Sequence, residues 1–291
     1  YTTKLSNYYK NHGLPINTED IIITTGGSEA LLFAMSSTMD NGDEIIIPEP
    51  LYANYIGFSK SGNINVCPIP TKFNDGFALP SIDEFEKVIH SKTKAILLCN
   101  PNNPTGYFYS HEELMRLKDI VLKHDLYLIC DEVYRDFIYS DNVQYTSVLS
   151  IEGLEQHAIL IDSVSKRFSA CGARIGMIAT KNKAVLQTAL KFAQQRLSPP
   201  TVEQIGVAAM FDVEENYFTK VNIEYRKRRD TLVEGLNAIE GVRCHIPGGA
   251  FYCIVQLPVK DTDEFCEWML RDFNFENETV MMAPASGFYA T

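Results

Sequence analysis

An alternation constrains this chain more than anything else in it. Short runs of β-branched and other apolar residues recur at 21–24, 44–48, 64–69, 95–99, 127–130, 158–162 and 174–180. Segments with helical spacing lie between them, at 28–39, 53–61, 81–90 and 112–124. Runs such as Ile96-Leu97-Leu98-Cys99 are apolar at every position, not at every second one. A strand tolerates that when both of its faces are covered, as in a parallel sheet sandwiched between helices. Ser110 followed by Glu113 forms a capping box ahead of the segment at 112–124. The pattern predicts an α/β fold with a mostly parallel, seven-stranded sheet covered by helices.

Beyond residue 180 the pattern changes. Residues 181–236 read as mainly helical, and 251–257 and 280–283 read as strands around a helix at 263–273. This tail reads as part of a smaller α+β unit, which divides the chain into a large domain, 1–225, and a partial small domain, 226–291. Apolar residues make up 45% and charged residues 22%, enough for a sizeable core. With 37 acidic against 26 basic residues, the net charge of −11 disfavours nucleic acid as a partner. No apolar run approaches the roughly 18 residues of a membrane-spanning helix. The seven cysteines are odd in number and none has C-x-x-C spacing. They read as buried free thiols in a reducing compartment, and so as a cytoplasmic protein. The chain opens at Tyr1 inside a helical pattern and stops at Thr291 just after an apolar run. It reads as a piece of a longer protein.

In a parallel α/β sheet, ligands bind beyond the carboxyl ends of the strands. After the first run come Gly26, Gly27 and Ser28, where two glycines turn into a helix whose free amides suit an anion. By itself this is also an ordinary turn. After the fourth run, Asn100-Pro101-Asn102-Asn103-Pro104-Thr105-Gly106 makes a stiff loop able to present an asparagine amide to a planar polar ligand, or simply a stiff surface turn. After the fifth comes Asp131, with Tyr134 three residues on. A carboxylate at a buried strand end calls for a cation, and a protonated pyridine nitrogen is one that fits. After the sixth come Ser163, Ser165 and Lys166, with Arg174 eight residues later. Two hydroxyls and a guanidinium suit a phosphate, and a lysine among them suits imine formation. Together these strand ends supply the parts of one site for pyridoxal 5'-phosphate.

On these residues the chain resembles the class I/II pyridoxal-phosphate-dependent aminotransferases of the aspartate aminotransferase fold (fold type I). The matching positions stand in family order: Gly26-Gly27-Ser28, Pro50-Leu51-Tyr52, Asn103-Pro104-Thr105-Gly106, Asp131 with Tyr134, Ser163-Val164-Ser165-Lys166, and Arg174-Ile175-Gly176. The resemblance implies that Lys166 carries the cofactor as a Schiff base and then moves the proton. It implies that Asp131 pairs with the pyridine nitrogen and that Asn103 and Tyr134 bond the ring oxygen. Tyr52 would stack on the ring. Gly27, Ser28, Ser163, Ser165 and Arg174 would hold the phosphate. The partners implied are an amino acid, with aspartate as the family-level expectation, a 2-oxo acid such as 2-oxoglutarate, and a second subunit in a homodimer. The family's carboxylate-binding arginine and N-terminal arm are not found in this sequence, so weak or no turnover is expected of the chain at this length.

Other readings compete. Ser163-x-x-Lys166 and Ser140-Asp141-Asn142 match motifs of serine β-lactamases, but in reversed order and without K-T-G. His111-Glu112 lacks the second histidine of H-E-x-x-H, so no metal site is expected. A non-catalytic, cofactor-sensing regulator domain and a C–S β-lyase remain alternatives within the same fold. Gly106 followed by Tyr107-Phe108 favours transamination over the lyase. The basic run Arg226-Lys227-Arg228-Arg229 reads as a solvated face or subunit contact. Residues 195–200 read either as reaching a partner subunit or as a plain turn between helices.

Overall fold

The computed structural model describes residues 1–139, 144–214 and 216–290. Ser140-Asp141-Asn142 lies outside the described residues. In chain order the elements are α1 (Thr2–Asn11), β1 (Ile21–Thr24), α2 (Gly26–Thr38), β2 (Glu44–Glu49), α3 (Asn54–Ser61), β3 (Asn65–Pro70), α4 (Ile82–Val88), β4 (Thr93–Cys99), α5 (His111–His124), β5 (Tyr127–Asp131), β6 (Ala158–Ser163), α6 (Val164–Arg167) and β7 (Gly176–Ala179). There follow α7 (Lys183–Arg196), α8 (Thr201–Met210), α9 (Tyr217–Asn237), β8 (Arg243–Cys244), β9 (Val255–Gln256) and α10 (Thr262–Arg271).

The first seven strands form one sheet in the order β1-β7-β6-β5-β4-β2-β3. Neighbours from β3 to β6 pair in parallel, whereas β7 runs antiparallel to both β6 and β1. The continuous apolar runs are explained by the way each strand splits its side chains. In β4, Ile96 and Leu98 join the core under α1, α4 and α5. Ala95, Leu97 and Cys99 join the core under α2, α3 and α7. In β5 and β6 the alternation continues, with Leu128 and Leu160 on one face and Ile129, Ile159 and Ile161 on the other. Both faces are dry, so neither needs polar residues.

Helix ends follow local chemistry. Ser110 Oγ accepts from the Glu113 amide at 3.2 Å, and Glu113 returns the bond to the Ser110 amide at 2.8 Å, so the expected capping box forms. Glu113 also accepts from the Leu79 amide at 2.9 Å and the Tyr107 hydroxyl at 2.9 Å, which ties α5 to two loops.

Several expectations need correcting. The strand expected at 174–180 begins only at Gly176, because Arg174 adopts a left-handed φ of 53° that no strand accommodates. Of the run 251–257, only Val255–Gln256 pairs, with Arg243–Cys244. Residues 280–283 form no strand, having no neighbouring strand among the described residues to complete their backbone hydrogen bonds, and Val280 and Met281 are exposed. The cysteines are free, but Cys171 is exposed and Cys67 and Cys253 are half-buried. Cys171 lies in a turn, not a strand, which is why it is not covered. The basic run is not uniformly solvated: Arg229 lies 5.0 Å over the Tyr139 ring and donates to the Pro247 carbonyl at 3.0 Å. Helix α9 runs unbroken through residues 225 and 226. No helix among the described residues is long and apolar enough to cross a membrane.

Candidate active site

Strand register gathers the site. Asp131 stands beside Cys99 and Ile161, and Gly176 stands beside both Ser163 and Thr24. The carboxyl ends of β1, β4, β5 and β6 therefore open on the same edge of the sheet as the start of β7. Gly176 is required there, since a Cβ would overlap the Gly26 backbone. Gly26, with φ of 78°, turns the chain into α2, and a Cβ on it would collide with the Arg174 guanidinium.

At this edge, Gly27, Ser28, Tyr52, Asn103, Asp131, Tyr134, Ser163, Ser165, Lys166 and Arg174 line one cavity of about 220 Å³. The cofactor-site residues expected from the sequence thus line one cavity. Leu31, Tyr55, Cys99, Val133, Cys171 and Tyr252 complete the lining. A neighbouring cavity of about 190 Å³, between α9 and residues 247–253, shares Tyr252 but is lined mainly by apolar side chains with Arg228 and Arg229.

One end of the larger cavity is acidic. Asp131 is 6% exposed, and the Tyr55 hydroxyl donates to its Oδ2 at 2.9 Å while the Val133 amide donates to Oδ1 at 3.3 Å. Burial pushes the Asp131 carboxyl up to about 6, against the lowering effect of those two bonds. Both donors are neutral, so the carboxylate lacks the full countercharge that would return it to the ordinary range. A pyridinium nitrogen would supply it.

Another part of the lining is built for an anion. Gly27 and Ser28 belong to the first turn of α2, where amides have no intrahelical partner. Arg174, held by an Nη1 bond to the Cys171 carbonyl at 3.1 Å, approaches the same turn. Ser163 Oγ accepts from the Ser165 amide at 3.3 Å and so caps α6, the single turn that carries Lys166. Lys166 Nζ lies 5.9 Å from the ring centres of Tyr134 and Phe251.

The side wall carries a chain of hydroxyls. Asn103 Nδ2 donates to the Tyr134 hydroxyl at 3.4 Å, and that hydroxyl lies 3.0 Å from the Tyr252 hydroxyl. Burial pushes the Tyr134 hydroxyl far above the usual phenol range, so it stays protonated and able to donate. Tyr52 is half-buried, accepts from Asn54 Nδ2 at 2.8 Å and meets Tyr55 edge-on at 5.3 Å between ring centres.

Of the lining residues that the sequence reading missed, Tyr55 and Tyr252 hydrogen-bond directly to the site residues Asp131 and Tyr134. Tyr55 had a signal: it stands three positions after Tyr52, in the first turn of α3, and the two rings meet edge-on. Tyr252 had none, because Gly248 and Gly249 hydrogen-bond to the Gly106 carbonyl and bring it in from far along the chain.

With this geometry in place, comparison with known proteins gives a family. The description "Aminotransferase class I and II" matches residues 1–289. The chain belongs to the class I and II aminotransferases. Its members are pyridoxal-phosphate-dependent transaminases, and the chain is an enzyme of that kind. It is 34% identical to YugH of Bacillus subtilis (strain 168), over 98% of this chain and 71% of that protein. The crystal structure of aspartate aminotransferase from Thermotoga maritima superposes with a TM-score of 0.89 at 28% identity, covering 99% of this chain and 73% of that one. That of an aromatic aminotransferase from Pyrococcus horikoshii does so with the same TM-score of 0.89 and 28% identity, covering 99% and 76%.

Proposed function

We propose that this aminotransferase binds pyridoxal 5'-phosphate as a Schiff base on Lys166 and moves an amino group between an aspartate-like amino acid and a 2-oxo acid such as 2-oxoglutarate. The observation that carries the reading is that one cavity is lined by a buried carboxylate, a helix start with a guanidinium, and a lysine. When bound, the cofactor supplies an electron sink for the bond broken at the substrate's α-carbon.

The chain's own residues divide the remaining work. Asp131 accepts the pyridinium N–H and keeps that nitrogen protonated. Asn103 and Tyr134 donate to the ring oxygen, with Tyr134 oriented by the Tyr252 hydroxyl. Tyr52 covers one ring face. Gly27, Ser28, Ser163, Ser165 and Arg174 hold the phosphate through amides, hydroxyls and one guanidinium fork. Lys166 Nζ would take and return the proton at the substrate's α-carbon.

The same reading treats 1–225 as the cofactor-bearing unit and 226–291 as part of the small unit, with α9 shared between them. It takes a homodimer as the assembly. The exposed Leu197, Val202 and Ile205, at 76%, 77% and 70%, support a subunit contact on the α7–α8 side. A cytoplasmic setting follows from the free cysteines.

The test is a donor screen. The purified chain, given cofactor, is expected to absorb in the visible, and amino donors are scored by 2-oxo acid formed with 2-oxoglutarate as acceptor. Transfer from aspartate ahead of aromatic donors supports the reading. Pyruvate release from cystathionine without transfer would establish the β-lyase instead. A visible band with no reaction on any donor points to the sensing domain.

A further inference from the structure

Lys166 sits on α6, a helix of only four residues. A single turn has no intrinsic stability, so its orientation must come from what grips it. On one side it is held by the Ser163 cap, a backbone bond from the Val164 amide to the Ile175 carbonyl at 3.1 Å, and the undirected packing of Val164 against Ile175 and Val207. On the far side the grip is strong. Arg167, the next residue, is 2% exposed, and its Nε donates to Asp136 at 2.6 Å while Nη2 donates to Asp162 at 2.5 Å.

Those two carboxylates belong to segments that build the site, Asp162 to the end of β6 and Asp136 to the loop after β5. Asp162 precedes Ser163, and Asp136 follows Tyr134 by two positions. Each is also held from α1: the Tyr8 hydroxyl donates to Asp136 at 2.5 Å and the Tyr9 hydroxyl donates to Asp162. Arg167 lies 4.3 Å over the Tyr8 ring, and Arg135 lies 4.8 Å over the Tyr9 ring. Burial alone would push the Asp136 carboxyl up, but the Arg167 and Arg135 guanidinia outweigh it and hold it below the usual carboxylate range. Arg167, Asp136, Asp162, Tyr8 and Tyr9 do not line the cavity. A buried ion pair adds little net stability compared with a packed apolar substitute, but its directional bonds fix geometry. A brace of this kind, spanning a strand end, a site loop and a helix from the chain's beginning, serves position better than stability.

We propose that Arg167 is a positioning residue for Lys166, and that Tyr8 and Tyr9 complete the brace, so that the docking of α1 sets the pose of the lysine. The inference rests on the reading of Lys166 as the cofactor-bearing residue.

The experiment uses the full chain loaded with pyridoxal 5'-phosphate. Three readouts are taken: borohydride trapping of cofactor on Lys166, circular dichroism in the visible cofactor band, and the thermal midpoint. Variants are Arg167→Lys, which keeps charge but loses the fork, and the milder Tyr9→Phe and Tyr8→Phe, which remove one hydroxyl each. Lys181→Met is the structural control. It removes a 2.6 Å partner from Asp20, a carboxylate only 3% exposed at the other end of β1 and β7 from the cavity.

Arg167→Lys is expected to weaken cofactor trapping by roughly tenfold or more and to change the dichroic band. Tyr9→Phe should do so to a smaller extent. Lys181→Met should lower the midpoint while leaving trapping and band unchanged. If Arg167→Lys does not fold, the two Tyr→Phe variants decide the matter by the same readouts. Arg167 and tyrosine variants that lose only thermal midpoint, with trapping and band as in the unmodified chain, overturn the brace. Failure of the unmodified chain to trap cofactor at Lys166 overturns instead the reading beneath it.

Discussion

The seven-stranded sheet and the region after α9 use similar apolar runs to opposite ends. In β4, Leu97 and Leu98 are 0% and 1% exposed, whereas Val280 and Met281, in an equally strand-like run, are 59% and 80% exposed. The difference lies in what surrounds them. β4 has strands on both sides and helices on both faces, while residues 280–283 pair with no strand among the described residues. Strand propensity is a fit to a covered, paired surface, and where that surface is lacking it produces no strand. The site obeys the same rule in reverse: charges are placed at the edge of the covered sheet, where burial gives them force.

Five outcomes can break or sharpen this contrast. The largest concerns the covered edge. Lys166→Ala should remove the visible cofactor band altogether while far-UV circular dichroism shows the sheet intact. A band that survives would detach the chemistry from the sheet edge.

Next is Asp131→Ala, expected to lower the rate of α-proton abstraction by about 100-fold or more in single-turnover kinetics while leaving some cofactor binding. Near-normal rates would mean that the buried carboxylate has no partner in the ring.

Third is packing. Leu98→Ala should destabilise by about 2–5 kcal/mol in urea unfolding, as expected of a filled two-sided core. A loss below about 1 kcal/mol would show the sheet to be less tightly covered than described.

Fourth is the pH dependence of the cofactor-free chain. The Asp131 carboxyl is raised by burial to about 6, so the folded chain holds that proton more tightly than the unfolded one. Its contribution is therefore complete below the ordinary carboxylate value and is lost as pH rises through about 6. The loss is on the order of 3 kcal/mol by pH 7. Urea midpoints at acid and neutral pH should fall more for the unmodified chain than for Asp131→Asn. Glu132, pushed up to about 7 by its own burial, contributes a slope of the same sign to both proteins, so the difference isolates Asp131. Equal slopes would contradict the burial argument.

The smallest effect is expected in the uncovered region. Met281→Ala should change stability by no more than about 0.5 kcal/mol. A larger loss would show that this run is covered in solution.

The site was legible in the sequence because each of its parts directly follows a strand or opens the element after it. Gly27, Asn103, Asp131 and Lys166 could be placed on one edge without knowing any long-range contact. Tyr252, 118 positions from the Tyr134 it meets, could not. Nor could the Arg167 brace, whose partners lie on α1, in the loop after β5 and at the end of β6. The strand at 174–180 was overextended because hydrophobicity does not reveal a left-handed residue, and Arg174 needs that conformation to face the start of α2. The boundary at 225/226 rests on the change of strand and helix pattern along the chain, and α9 runs through it.

The central claim is that one ring is gripped at both ends in this cavity. It is tested most directly by a structure of the chain soaked with pyridoxal 5'-phosphate. The account predicts the cofactor's aldehyde carbon joined to Lys166 Nζ and its ring nitrogen within hydrogen-bond distance of Asp131, with the phosphate at Gly27, Ser28 and Arg174. Density for the cofactor elsewhere, or a ring nitrogen turned away from Asp131, would contradict it.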